Sequence, residues 1–262
     1  GIERFIQEAR NVAKLKYPNI VGLLDIGEVR GHHYFCMDFI EGKPLTRVVI
    51  EKTVAIETLA TIMRDVCRAV AYAHSQGILH RDLKPDNILV DGSFNGYVLD
   101  FGLAKELRGG SGTGLTVTGN VFGTPQYMSP EQARGDHRTL DHRSDVYSLG
   151  ATLYYVLTGV PPFTGNTAWD VVEKVVTQDP PSPSKILDRV DRTLETICMH
   201  AMEKNPARRY TSATEMADDL DAFIRHEPIR AQRSSFLYRF WRKKSNRVAL
   251  ASSSSSCFVN GS

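Results

Sequence analysis

His80-Arg81-Asp82-Leu83-Lys84-Pro85-Asp86-Asn87 sets a carboxylate (Asp82), an ammonium (Lys84) and a carboxamide (Asn87) within six residues, and Asp100-Phe101-Gly102 adds a second carboxylate thirteen residues beyond Asn87. A carboxylate can accept the proton of a hydroxyl nucleophile. A carboxamide and a second carboxylate offer oxygen ligands to Mg²⁺, a hard cation usually held by one or two carboxylates together with phosphate oxygens. The lysine adds a compact positive charge. Transfer of a phosphoryl group to a hydroxyl uses all of these, because it asks the protein to orient the nucleophile and neutralise charge spreading over the phosphate oxygens. Either tripeptide alone also fits a polar turn, or a strand end with Phe101 in a core and Gly102 at positive φ.

Taken together and in this order, the two segments resemble the catalytic loop and metal-binding motif of protein kinases. The resemblance implies Asp82 as the base, Lys84 beside the transferring phosphate, and Asn87 and Asp100 as ligands of Mg²⁺, for which Mn²⁺ could substitute. A lysine at position 84 implies Ser or Thr substrates. Further matches follow along the chain. Gly123-Thr124-Pro125-Gln126-Tyr127-Met128-Ser129-Pro130-Glu131 resembles the end of an activation segment, with Ser129 in place of the usual Ala. Ser144-Asp145-Val146-Tyr147-Ser148-Leu149-Gly150 resembles the start of the large lobe's central helix, where Asp145 is expected to tie the helix to the catalytic-loop backbone. Asn205-Pro206-Ala207-Arg208-Arg209-Tyr210 fits the segment whose arginine pairs with the activation-segment glutamate, so a buried Glu131–Arg209 ion pair is expected. Pro130-Glu131-Gln132-Ala133-Arg134-Gly135 and Leu157-Thr158-Gly159-Val160-Pro161-Pro162-Phe163 are similar to the Hanks-type Ser/Thr kinases of bacteria. The resemblance covers residues 2 to 225.

The elements that must position these groups are legible from spacing. Leu59, Ile62, Val66, Ala69, Val70 and Ala73 share one face of a helix running from Glu57 to Gln76 and stopping at Gly77. The stretch from Ser144 to Leu157 is apolar on nearly all sides and reads as a buried helix that stops at Gly159. Ala168 to Gln178, Leu194 to Lys204 and Ser212 to Arg225 also have helical spacing, with Asp179-Pro180-Pro181-Ser182-Pro183 as a break. Val21 to Glu28 and His33 to Ile40 read as strands of a hairpin turning at Arg30-Gly31-His32. These imply an α+β, two-lobed kinase-like fold. The expected divisions are a partial small lobe (1–40), a mainly helical, complete large lobe (41–225) and a tail (226–262).

Ile2, Phe5, Ile6, Ala9, Val12 and Ala13 recur at helical spacing, so the chain opens inside an amphipathic helix. By resemblance this is the small-lobe helix whose glutamate, here Glu8, pairs with an ATP-binding lysine on an earlier strand. That lysine and the glycine-rich phosphate loop are therefore expected to be missing, leaving an incomplete small lobe and a fragment weak in ATP binding and phosphotransfer. Gly109-Gly110-Ser111-Gly112-Thr113-Gly114 has the glycine spacing but the position of the activation segment, and reads as a flexible loop. The resemblance further assigns Met37 as gatekeeper, Asp38 and Ile40 to adenine through their backbone, and Leu89 to the pocket floor. Val12, Leu23 or Leu24, His80 and Phe101 are expected to stack into a hydrophobic column. Arg81 would receive an activation-loop phosphate, with Thr116 and Thr118 as phosphosites and Thr124 as a structural hydroxyl near Asp82 and Lys84.

A net charge of +2 gives no sign of nucleic-acid affinity. Cys36, Cys67, Cys198 and Cys257 lack metal-ligand spacing, and the first three lie in apolar segments, reading as reduced core thiols of a cytoplasmic protein. From Arg225 to Arg247, eight Lys or Arg residues alternate with Phe236, Leu237, Tyr238, Phe240 and Trp241, and Ser252 to Ser256 follow. Such a stretch suits the surface of an anionic membrane and equally a solvated tail, and would tether the domain at the inner face of a membrane. Two other functions compete with catalysis. One is a pseudokinase-like binding module, and the other an adaptor acting through residues 225–247.

Overall fold

The computed structural model describes residues 12–30, 32–101, 124–136 and 139–231, with the main chain of 114–115 and 121–122. One compact unit ends at Ala231, and the second, Gln232–Ser262, lies outside the described residues.

Strands β1 (Leu23–Val29) and β2 (His32–Met37) form an antiparallel hairpin, with Arg30 at φ 53° in its turn. In β2 the even-numbered residues face out and the odd-numbered ones inward. This period of two corrects one expectation. Cys36 shares the outer face with His32 and Tyr34 and is exposed, whereas Cys67 and Cys198 are buried free thiols as expected. It also decides between two leucines: Leu24 is 66% exposed, while Leu23 packs against the core.

The large lobe begins with β3 (Gly42–Pro44) and α1 (Leu45–Glu51), followed by α2 (Ile56–Ser75). The helix α2 buries Leu59, Ile62, Met63, Val66, Val70 and Ala73 along one face. Strands β4 (Ile88–Asp91) and β5 (Gly96–Val98) complete a three-stranded antiparallel sheet in the order β3-β4-β5. Asn19 and Val21 bond to the backbone of Val98, joining the segment before β1 to this sheet. Two-residue strands β6 (Gly114–Leu115) and β7 (Val121–Phe122) pair with each other.

Helices α3 (Pro130–Ala133), α4 (His142–Thr158), α5 (Ala168–Thr177), α6 (Arg192–Ala201) and α7 (Ala213–Ile224) follow. Every residue of α4 from Ser144 to Leu157 is buried, as an all-round apolar helix requires. Its N-terminus is capped by Asp141 and it stops at Gly159, where φ is 75°. Around it pack α2, α6 and α7. The α4–α6 crossing is close at Gly150, where an added Cβ would fall 2.7 Å from Ala201 Cβ and 2.9 Å from Met202 Cγ. The lobe extends to Ala231 because buried Asp219 of α7 accepts from the backbone of Arg230 and Ala231 and from the Tyr210 hydroxyl. Among the described residues no helix is long and apolar enough to cross a membrane.

Candidate active site

The two motif segments meet because adjacent strands carry them. Asn87 stands at the entry to β4 and Leu99 just past β5, and Leu99 N–H donates to Asn87 O at 2.9 Å. His80 holds the same junction from the other side. Its Nε2 lies 2.8 Å from Leu99 O, so that nitrogen carries the proton, and its Nδ1 accepts from Asp82 N–H at 3.3 Å. Burial holds its pKa below the usual imidazole value despite nearby carboxylates, in keeping with a neutral ring.

Asp145, on α4, fixes the loop backbone. Its carboxylate accepts from His80 N–H, Arg81 N–H and His74 Nε2, each at 2.8 Å. Burial alone would raise its pKa; the bonds and charge from His74, with His80, hold it below the ordinary value. Those bonds keep Arg81 at φ 64°, a left-handed conformation unfavourable for a side chain of this kind. Gln132 of α3 supports the same residue, donating from Nε2 to Arg81 O at 2.9 Å.

Asp82, Lys84, Asn87 and Asp100 therefore converge. Lys84 Nζ lies 3.2 Å from Asp82 Oδ2 and donates to Thr124 Oγ1 at 3.3 Å. The Asn87 amide donates to Asp82 O at 2.8 Å and to Asp82 Oδ2 at 3.3 Å, leaving its oxygen for another ligand. Asp100 is the other left-handed residue here, at φ 53°, and its Oδ1 is buried with no hydrogen-bond partner. Burial raises its pKa, and neighbouring Asp82 adds to the effect, against the lowering by His80 and Lys84. The buried, unpartnered carboxylate oxygen of Asp100 and the amide oxygen of Asn87, outside the bonds to Asp82, are oxygen donors of the kind a hard divalent cation takes.

Glu131 and Arg209 pair as expected, Nη1 to Oε1 at 2.7 Å and Nη2 to Oε2 at 2.9 Å, with both side chains almost fully buried. Burial would push the Glu131 pKa up, but the bonds and charge of Arg209 and the Ser144 hydroxyl hold it below the usual range. Arg209 also donates to the carbonyls of Glu203, Arg143 and Lys204.

A protein kinase domain model matches residues 2–220. The chain belongs to the protein kinase domain family. Serine/threonine-protein kinase PknB of Mycobacterium tuberculosis (strain ATCC 25618 / H37Rv) is 41% identical over 233 residues, 87% of this chain and 37% of that protein. Probable serine/threonine-protein kinase PknB of Lactococcus lactis subsp. lactis is 40% identical over 221 residues, 84% of this chain and 34% of that protein. These likenesses place the kinase domain with the bacterial Hanks-type Ser/Thr kinases. The chain spans little more than a third of the length of these relatives. Among solved structures, a mutant form of the Mycobacterium tuberculosis PknI kinase domain is similar with a TM-score of 0.65 and 25% identity, over 84% of this chain and 77% of that one.

The kinase domain's remaining expected positions divide in two. Met37 is half-buried at the end of β2, paired in register with Leu23, and Ile40 is half-buried three residues on. Asp38 is exposed, its N–H donating to Gly22 O at 2.9 Å, and Leu89 is half-buried in β4 between Pro44 and Tyr97. Phe101 is buried with its ring centroid 4.8 Å from that of His80, in one apolar cluster with Val12 and with Leu23 against it. Glu8, Thr116, Thr118 and Cys257, the glycine run up to Thr113, and the helix before Val12 lie outside the described residues, as does the tail from Gln232. Sequence reasoning missed His74 and Gln132. His74 stands six residues before His80 with no signature of its own, whereas the Ser129-Pro130-Glu131-Gln132 capping box, both halves of which form, was visible in the spacing.

Proposed function

We propose that this chain carries the catalytic domain of a protein kinase that moves the γ-phosphoryl group of ATP to Ser or Thr hydroxyls of proteins. The observation that carries the reading is the convergence of Asp82, Lys84 and Asn87 with the unpartnered Oδ1 of Asp100. Asp82 accepts the hydrogen bond of the substrate hydroxyl and then its proton. Lys84, already between Asp82 and Thr124, sets positive charge where the transferring phosphate gains negative charge. Asn87 and Asp100 would hold Mg²⁺, which when bound neutralises phosphate charge. In this reading Met37, Asp38, Ile40 and Leu89 bound the adenine site, and Glu8 serves the phosphate-binding lysine.

Three finer readings accompany it. Arg81 receives a phosphate on Thr116 or Thr118, ordering the activation segment. Residues 225–247 bind an anionic membrane surface. Tight binding of Mg·ATP and fast transfer depend on a lysine paired with Glu8 and a glycine-rich loop over the phosphates. Intact Asp82, Asn87 and Asp100 weigh against a binding-only module.

Mg·ATP binding and γ-phosphate transfer to a generic basic protein, measured on this chain and on a form extended upstream with its native sequence, test the proposal. Asp82→Asn should lower the extended form's rate by about 10²–10⁴-fold, the contribution of a general base. Inactivity of both forms, or undiminished transfer by Asp82→Asn, would sink it.

A further inference from the structure

The side-chain amide of Gln132 has two backbone partners, and they sort its atoms. Its oxygen accepts from Ser129 N–H at 3.0 Å, and its nitrogen donates to Arg81 O at 2.9 Å. An N–H can face only the oxygen of an amide and a carbonyl only its nitrogen, so the neighbours settle the orientation. The first bond is half of the capping box that starts α3, and the other half runs from Gln132 N–H to Ser129 Oγ at 3.3 Å. A capping box needs only an acceptor at this position and is served equally by glutamate. The carbonyl of Arg81 needs a donor, and of the two residues only glutamine brings one. The side chain is buried, so the choice is made away from water.

The carbonyl it holds belongs to the peptide unit that carries Asp82. That unit is planar and trans, and its other end, Asp82 N–H, donates to Nδ1 of buried His80 at 3.3 Å. Gln132 and His80 thus grip one plane from opposite sides. Arg81, just before it, sits in the left-handed region at φ 64°, where a side chain of its kind needs support from its surroundings. A second, independent tie joins the same two stretches of chain, because Lys84 Nζ donates to Thr124 Oγ1 at 3.3 Å. The segment Thr124–Ala133 therefore meets the loop on either side of Asp82, once at Arg81 and once at Lys84.

We propose that Gln132 is a positioning residue for phosphotransfer: its amide fixes the Arg81–Asp82 peptide plane, and with it the direction of the Asp82 carboxylate, to the end of the segment Thr124–Ala133. Rotation of that plane changes φ of Asp82 and swings its side chain, so release at Arg81 O misaims the base while leaving the nucleotide site alone. The segment and the base are set together, and a displacement of α3 reaches Asp82 through one side chain. The part Gln132 plays in transfer rests on the kinase reading, whereas the tie between the two backbones does not.

Three variants separate the tie from the cap. Gln132→Glu, measured at about pH 8 where a carboxyl is ionised, keeps the acceptor for Ser129 N–H and lacks the donor. Gln132→Met lacks both, and Ser129→Ala removes the hydroxyl half of the box while leaving the amide. Hydrogen exchange of the Asp82 amide in the full chain, without nucleotide, should quicken in both Gln132 variants and hold at the wild-type rate in Ser129→Ala. In the form extended upstream with its native sequence, the Gln132 variants should lower kcat toward a generic basic protein about 10- to 100-fold with KM for Mg·ATP unchanged, while Ser129→Ala retains kcat. A merely structural role would instead make kcat follow the urea midpoint across all three. Unchanged exchange at Asp82, or faster exchange with undiminished kcat, would overturn the proposal. A wild-type extended form that transfers nothing sinks the kinase reading, and the exchange rates still decide the tie. Should the Gln132 variants fail to fold, exchange of the Gln132 side-chain amide in the wild-type chain decides: protection supports the tie, and the rate of a free amide overturns it.

Discussion

Two groups of buried charge hold the site, and in both each charge is completed by several donors or acceptors. Arg209 gives hydrogen bonds to both oxygens of Glu131 and to three carbonyls, so its loss strands a buried carboxylate and a set of unpaired acceptors. Arg209→Ala should lower unfolding free energy by about 3–5 kcal/mol, because the penalty falls on the charge left behind. Replacing Glu131 and Arg209 together with apolar residues of similar volume should recover the part due to the stranded carboxylate, leaving only the cost of the three carbonyls and the Ser144 hydroxyl. Urea titration of the single and double variants gives both numbers, and a double variant as unstable as the single one would refute the argument. The pairing was legible in the sequence because Glu131 and Arg209 each sit in a recognisable local motif. The course of Lys204, whose Nζ lies 2.6 Å from the carbonyl of Val175 in the last turn of α5, was not, since nothing in Met202-Glu203-Lys204-Asn205 distinguishes a side chain bound to a helix terminus from one in water.

Among the elements, α2 and α4 were readable and the hairpin strands only in part. A helix that is apolar on all sides has one home, the middle of a helical lobe, and α4 is there. A two-stranded hairpin offers two faces, and both can be apolar in sequence. Whether Leu23 or Leu24 turns inward, and whether Cys36 does, depends on register, which the structure settles in favour of Leu23 alone. Glycine in α4 was likewise ambiguous until its neighbours were known. Gly150 admits α6, and a methyl group there meets Ala201, Met202 and the carbonyl of Cys198. Gly150→Ala should cost about 1–3 kcal/mol through overpacking, despite the better helix propensity of alanine. An unchanged thermal midpoint for that variant would show that the α4–α6 crossing can spread at no cost.

For the whole molecule, acid should act in two stages. Buried His80 has a pKa held below 6.5 by desolvation, so the unfolded chain takes up its proton first and stability begins to fall as pH drops through about 6.5. Glu131 and Asp145 have pKa values below their ordinary 4.5 and 3.8; their contribution is complete above those values and drains away as pH falls through and below them. Urea midpoints measured at pH 8, 6, 5 and 4 should therefore decline gently and then steeply. A constant midpoint between pH 8 and 5 would contradict the assignment of a neutral, buried His80.

The carboxylate of Asp145 reaches back 65 residues to hold His80 N–H and 64 to hold Arg81 N–H. The left-handed turn at Arg81 is thus held in part by a helix made long after it. During synthesis, when a chain emerges from the ribosome N-terminus first, Asp82 is exposed well before α4 exists to set its surroundings. A nascent chain arrested before Asp145 would carry the sequence of the His80–Asn87 loop without the support of that carboxylate, which would arrive only when the central helix docks.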